Sequence, residues 1–174
     1  MEAKIWKLDT THSNIGFSIK HMMFTNVKGS FEKYDGSLKM NESDFENAQI
    51  EFSAEIASIS TNNTDRDAHL RSADFFDAEQ FPTLKFKSTS IVKKGDHDYD
   101  LTGDLTIHGV TKPVLLKAEF SGLMKDPFGN TKIGLNINGK VNRKDWGLNW
   151  NAGLEAGGLL VSEDVKFDIE TQLV

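Results

Sequence analysis

Tyr99-Asp100-Leu101-Thr102-Gly103-Asp104-Leu105-Thr106-Ile107 puts an apolar residue or glycine at every odd position and a polar residue at every even one. Strict period-two patterning of this kind gives a strand one wet face and one apolar face, the mark of a half-buried antiparallel sheet. Two other stretches repeat it. Ile133, Leu135, Ile137, Gly139 and Val141 enclose Asn136, Asn138 and Lys140, and Val165, Phe167, Ile169, Thr171 and Leu173 enclose Lys166, Asp168, Glu170 and Gln172. Similar segments start at Ile15, Phe31, Ile50, Leu84 and Val114, for about eight strands in all.

Turn chemistry sets the boundaries. Lys94-Gly95-Asp96, His108-Gly109 before Pro113, and Asp126-Pro127-Phe128-Gly129-Asn130 supply glycine for positive φ and proline for a fixed one. Nine alternating residues at about 3.3 Å each reach ~30 Å, longer than the usual strand. Long antiparallel strands with one apolar face close most naturally into an up-and-down barrel, which removes the edges. A two-sheet sandwich satisfies the same alternation.

Two segments break the rhythm. Between Ser58 and Pro82 the alternation disappears, and a structureless loop of that length is rare inside a compact domain. Asn63 or Thr64 is placed to cap a short helix with Asp65 and Asp67 in its first turn, where acids favour the dipole. Leu70, Ala73 and Phe76 or Asp77 follow at roughly helical spacing. The expectation is a short helical insertion near residues 63–78. The second break runs from Asn142 to Asp164, with Trp146, Trp150 and glycines at 147, 153, 157 and 158. It reads as a long connection packing its tryptophans onto the barrel.

Composition narrows the function classes. At 174 residues the chain suits one domain, spanning 1–174. It has no cysteine, hence no disulfide framework, thiolate metal site or cysteine nucleophile. A net charge of −6 argues against sequence-independent nucleic-acid binding, which needs basic surfaces. That charge is local. Residues 41–80 hold ten acids against two arginines, or −8, leaving the remainder at +2. Met1 to Leu8 lack the basic start and apolar run of a signal peptide, and no apolar run approaches a membrane span. A cytoplasmic protein without membrane insertion is expected, with an exported mature chain as the alternative.

Motifs for chemistry are sparse. His12, His21, His69, His97 and His108 lack the spacing that places two imidazoles on one metal, so no metal is expected. There is no Gly-x-Ser-x-Gly elbow and no glycine-rich loop opening a helix. Nothing here is an enzyme signature. Of three arginines, Arg66 and Arg71 lie in the helical break and Arg143 in the later one. Arg66 presents a planar fork for a phosphate or carboxylate, or else ties the insertion to the barrel together with Asp67. The twelve phenylalanines fall largely on apolar phases, where they either fill a small barrel or line a wider one.

Asp9-Thr-Thr-His12-Ser13-Asn-Ile15-Gly-Phe17-Ser-Ile19-Lys-His21, followed by Val27-Lys-Gly29-Ser-Phe31, resembles the opening motif of the YceI-like family of lipid and polyisoprenoid-binding proteins. Arg66-Asp67-Ala-His69-Leu70-Arg-Ser72-Ala-Asp74-Phe75-Phe76-Asp77, with Phe81-Pro82 and Phe86, resembles its central motif. Gly103 to Val114 and Arg143-Lys-Asp145-Trp146-Gly147 resemble later ones. The likeness runs in order from about Trp6 to Val174, with Trp146 standing where the family usually has phenylalanine.

The resemblance implies an elongated, lipocalin-like antiparallel barrel with a helical insertion around an apolar tunnel. Such proteins hold isoprenoid chains or fatty-acid-like amphiphiles, often as homodimers, and the implied role is carriage or storage of the ligand without catalysis. No cofactor is expected beyond a bound lipid. By their shared phase the wall residues are Ile15, Phe17, Ile19, Phe31, Phe52, Ile56, Phe75, Phe76, Phe86, Leu105, Ile107, Phe120, Ile137 and Phe167. A polar head group would meet His21, Arg66, Asp67 and His69. The acidic 41–80 stretch favours a neutral lipid such as a quinone over a pyrophosphate. Two rival readings stand beside this one: an enzyme acting on a lipid through His and Asp at the tunnel mouth, and a filled barrel that binds another protein.

Overall fold

The computed structural model describes residues 3–151 and 161–174. Its strands are β1 (Lys4–Lys7), β2 (Asn14–His21), β3 (Thr25–Phe31), β4 (Tyr34–Met40), β5 (Gln49–Glu55), β6 (Ile59–Ser60), β7 (Thr83–Lys93), β8 (Asp98–Ile107), β9 (Val110–Lys125), β10 (Thr131–Asn142) and β11 (Val161–Leu173). The one α-helix among the described residues, α1, spans Thr64–Arg71. All the strand pairings are antiparallel, and the fold is all-β as the alternation predicts.

Eleven strand segments make eight staves. The ladder that pairs Lys7 with Ser37 resumes, two residues out of step, where Ile15 pairs with Phe31. β1 and β2 are therefore one strand bent at the 3₁₀ turn Thr10–His12, and β3 and β4 are its bent partner. Likewise Tyr34 pairs with Ala54 and Phe31 with Ile59, so β5 and β6 form a third bent strand around the 3₁₀ turn Ile56–Ser58. β7 to β11 follow as successive neighbours, and β11 returns to β2. Leu8 bridges to Leu173, so β11 seals both halves of the first strand. Bending a strand by inserted residues is how sheets turn barrel corners.

Some boundaries differ from the sequence reading. Phe31 ends β3 instead of opening a strand, because Glu32 and Lys33 turn the chain outward, where both are exposed. β11 starts at Val161, ahead of the regular alternation, since a register shift separates Val161 from Val165. Within the connection from Asn142 to Asp164, the glycines at 153, 157 and 158 lie outside the described residues. Its buried Trp146 does pack on the barrel, donating from Nε1 to the Leu105 carbonyl at 2.9 Å.

One end of the barrel is plugged. Phe45, from the 3₁₀ turn Phe45–Asn47, stacks on Phe120 with centroids 4.5 Å apart and meets Tyr99 edge-on at 4.8 Å. At the other end lies α1. Asn63 caps it by accepting from the Arg66 amide at 2.9 Å, Asp65 and Asp67 occupy its first turn, and His69 and Arg71 its last, each charge matching the helix dipole. The helix has no buried residue, so packing alone does not hold it. Thr61 does: Asp67 Oδ1 accepts from its amide and hydroxyl at 2.8 and 2.6 Å, while Arg66 donates to its hydroxyl and carbonyl at 2.7 Å each.

Two tests follow from this framework. Replacing Phe45 with alanine empties the plug and should cost about 3–5 kcal/mol in urea unfolding. Asp9 holds the β1–β2 bend by accepting from the Thr11 hydroxyl at 2.7 Å and contacting His12 Nδ1 at 2.8 Å. The Thr11 hydroxyl, then His12, lower its pKa from 3.8 to about 2. A lowered carboxylate pKa contributes stability above the unfolded value that is lost as pH falls through the folded one. Thermal melts of Asp9→Asn should therefore lose less stability than the wild type between pH 3.8 and about 2.

Candidate functional site

Inside the barrel the described residues line two cavities. The inner one, about 100 Å³, is walled by residues including Ile15, Leu38, Ile50, Phe86, Leu105, Leu135, Ile169 and Leu173. Its polar lining residues are Ser37, Glu51 and Thr171, and the Thr171 hydroxyl is spent on the Leu135 carbonyl at 2.6 Å. The outer cavity, about 410 Å³, lies under α1 and the Phe75-Phe76 turn. That volume falls in the range of small-molecule sites, ~300–1,000 Å³. Phe17, Phe31, Leu84 and Phe167 line both, the boundary the two cavities share. Phe17 can lean there because its cross-strand partner is Gly29. Its ring fills the space a β-carbon on Gly29 would take.

The charged and hydrogen-bonding side chains of the arginines and histidines gather in the outer cavity. Thr61, Asp65, Arg66, His69, His21 and Arg143 all touch it. Arg66 uses Nε and Nη2 on Thr61. His69 Nε2 lies 2.8 Å from Asp74, and its ring is wedged edge-on against Phe75 and Trp150 at 5.1 and 4.6 Å. Arg143 is only 3% exposed. It donates to the carbonyls of Ser162 at 2.9 Å, Leu148 at 2.5 Å and Val161 at 3.5 Å. Burial pushes its pKa down, while nearby Glu163 pulls it back up. The guanidinium is thus a buried cation held by carbonyl oxygens, with Phe75 stacked 5.9 Å away.

Of the expected wall, Ile15, Phe17, Ile19, Phe31, Phe52, Phe75, Phe76, Phe86, Leu105, Ile107, Ile137 and Phe167 line one cavity or both. Two expected wall residues stand elsewhere. Phe120 shares the inward phase but lies in the plug, stacked on Phe45. Ile56 falls beyond the end of β5, in a 3₁₀ turn whose amide donates to the Pro82 carbonyl. His21, Arg66 and His69 line the outer cavity, whereas Asp67 is consumed by Thr61. Arg143, Trp150, the wall leucines other than Leu105 and the wall valines are not among the residues the sequence points to. The aliphatic ones share the visible alternation, but Arg143 binds backbone carbonyls, which leave no pattern in a sequence. His12 stays on Asp9, separated from His21 by the length of β2. Among the described residues no His, Asp and Glu cluster has the form of a metal site, and no helix is long and apolar enough to cross a membrane.

Arg143 joins the segment after β10 to the start of β11, and its loss should be felt in folding. Arg143→Met leaves buried carbonyls unpaired and should cost about 1–3 kcal/mol in urea unfolding. Arg143→Lys should recover less than half of that, because an ammonium cannot reproduce the fork.

The YceI-like domain model matches residues 6–173. A UPF0312 protein of Photorhabdus laumondii is 42% identical over 158 residues, covering 89% of this chain and 82% of that protein. A Staphylococcus aureus UPF0312 protein is 35% identical over 165 residues, 94% of each chain. Among solved structures, the Campylobacter jejuni YCEI protein superposes with a TM-score of 0.75 at 33% identity, over 88% of this chain and 87% of that one. A polyisoprenoid binding domain from Saccharophagus degradans gives 0.72 at 17% identity, over 97% of each, a likeness of fold alone. By the match over nearly its whole length and by these relatives, the chain belongs to the YceI-like family.

Proposed function

We propose that this protein binds a long apolar ligand along its barrel, tail in the inner cavity and head in the outer one, and carries or stores it without chemical change. The observation that carries this reading is the shared boundary: Phe17, Phe31, Leu84 and Phe167 belong to both cavities, so one extended chain would pass between them. Each buried methylene contributes about 0.8 kcal/mol, and the inner walls ask nothing polar of a hydrocarbon tail. Arg66, His69, His21 and Arg143 in the outer cavity suit a head that accepts hydrogen bonds, as a quinone carbonyl or a fatty-acid carboxylate does. The isoprenoid class draws support from the structural neighbour described as a polyisoprenoid binding domain.

His69 beside Asp74 at 2.8 Å is the feature that favours the rival enzymatic reading. Both are tested together. Organic extraction of purified protein followed by mass spectrometry should recover a lipid from the wild type. It should recover none from Phe17→Asp, which puts a carboxylate at that apolar boundary. A wild type that yields no lipid and takes up none sinks the proposal, as does full occupancy in a folded Phe17→Asp. Consumption of an added lipid by the wild type, abolished in His69→Ala, would replace carriage with catalysis.

A further inference from the structure

The turn between β2 and β3 is built against local preference. The Phe24 amide donates to the His21 carbonyl at 3.2 Å, and the two central residues, Met22 and Met23, have φ of 52° and 64°. Asn and Gly are the residues that accept positive φ at both central positions of a tight hairpin turn, as His108-Gly109 nearly does between β8 and β9. Here two methionines hold that geometry and carry Phe24 outward. Met22 is 43% exposed, Met23 65% and Phe24 88%. Three consecutive large apolar side chains in water mark a contact surface.

Charge says what kind. The strands behind the tip present a row of outward positions in which Lys28 faces Ser18, Ser18 faces Lys166 and Lys166 faces Lys140, with Lys20 on β2 nearer the tip. Lys20, Lys28 and Lys166 are exposed and have no carboxylate within ion-pair reach among the described residues. Lys140 is paired with Asp164 at 3.6 Å. Asp168, the next outward residue on β11 after Lys166, and Asp164 are the acids of this row, so Lys20, Lys28, Lys140 and Lys166 leave it with a basic excess on a chain whose net charge is −6. Among the described residues Met124 and Phe128 are also exposed, at the β9–β10 turn beside Lys125, but Asp126 lies within that turn and Lys132 is paired with Asp126 and Asp9. Finally, the outer cavity's wall runs up to His21, which directly precedes the Met22–Phe24 tip, and to Val27, three residues beyond it.

We propose that Met22, Met23 and Phe24, with Lys20, Lys28 and Lys166 behind them, form a docking tip for an anionic lipid bilayer, bringing the outer cavity's rim to the membrane surface. Apolar side chains enter the headgroup region and lysines meet the phosphates, the pairing that gives reversible interfacial binding. This inference deepens the ligand reading and rests on it for purpose, but not for its physics.

Vesicle co-sedimentation tests it. The wild type should bind vesicles made of equal parts phosphatidylcholine and phosphatidylglycerol, and bind pure phosphatidylcholine at least about tenfold more weakly. Met23→Asp/Phe24→Asp should lose vesicle binding at least about tenfold while taking up a fluorescent fatty acid as the wild type does. Phe128→Asp, at the other turn, should bind vesicles normally. No vesicle binding by the wild type overturns the proposal, as does equal binding by the double variant or an equal loss in Phe128→Asp. A tip variant that changes only the oligomeric state assigns the tip to a second copy and also overturns it. Fatty-acid uptake without vesicle binding would leave the ligand reading standing; vesicle binding without uptake would leave only the tip.

Discussion

Lys7 donates to the Val174 carbonyl and Val174 to the Lys7 carbonyl, both at 2.8 Å, and this reciprocal pair fastens the last strand to the first. A sheet with free edges would expose unpaired backbone at each side; here the ladder runs round to itself. Closure in turn forces the interior to be whatever the inward residues leave. Eight staves, three of them bent, enclose more room than their side chains fill, so the same constraint that stabilises the sheet creates the cavities.

The three bends make this possible. Each interrupts a ladder by a few residues and lets one strand serve two stretches of the wall, at Thr10–His12 most clearly. They also divide the interior by depth. Phe45, Tyr99 and Phe120 fill one end, the boundary the two cavities share lies in the middle, and the insertion roofs the wider end. The gradient of chemistry follows that division: hydrocarbon near the plug, arginine and histidine beneath α1. A fold that places its interior arginines and histidines at one end is suited to amphiphiles, because a head group and a tail each find their own environment.

Much of this was written in the alternation. Tyr99 to Ile107 became β8 almost residue for residue, and the capping of α1 by Asn63 followed from local polar chemistry. The YceI-like motifs spanned the chain in order. Depth was not legible, and for a physical reason. Period-two phase states which face a residue takes but not how far along the barrel it sits, so Phe120 and Phe86 looked equivalent while one plugs the floor and the other lines the wall. Arg66 and Asp67 admit two readings in the sequence, and their shared partner Thr61 is revealed only once β6 folds against α1, with Arg66 at the same time lining the outer cavity. Arg143 was visible as one of three arginines, yet its partners are carbonyls of Leu148, Val161 and Ser162, groups every residue possesses.

If the two cavities act as one binding site, a single extended molecule occupies both at once. Nuclear Overhauser contacts from an unlabelled long-chain fatty acid to labelled methyl groups would test it most directly. The account predicts that one bound molecule contacts Leu38 and Leu135, which line only the inner cavity, as well as Leu70 and Val165, which line only the outer one. Contacts confined to the outer cavity, or none inside the barrel, would contradict it.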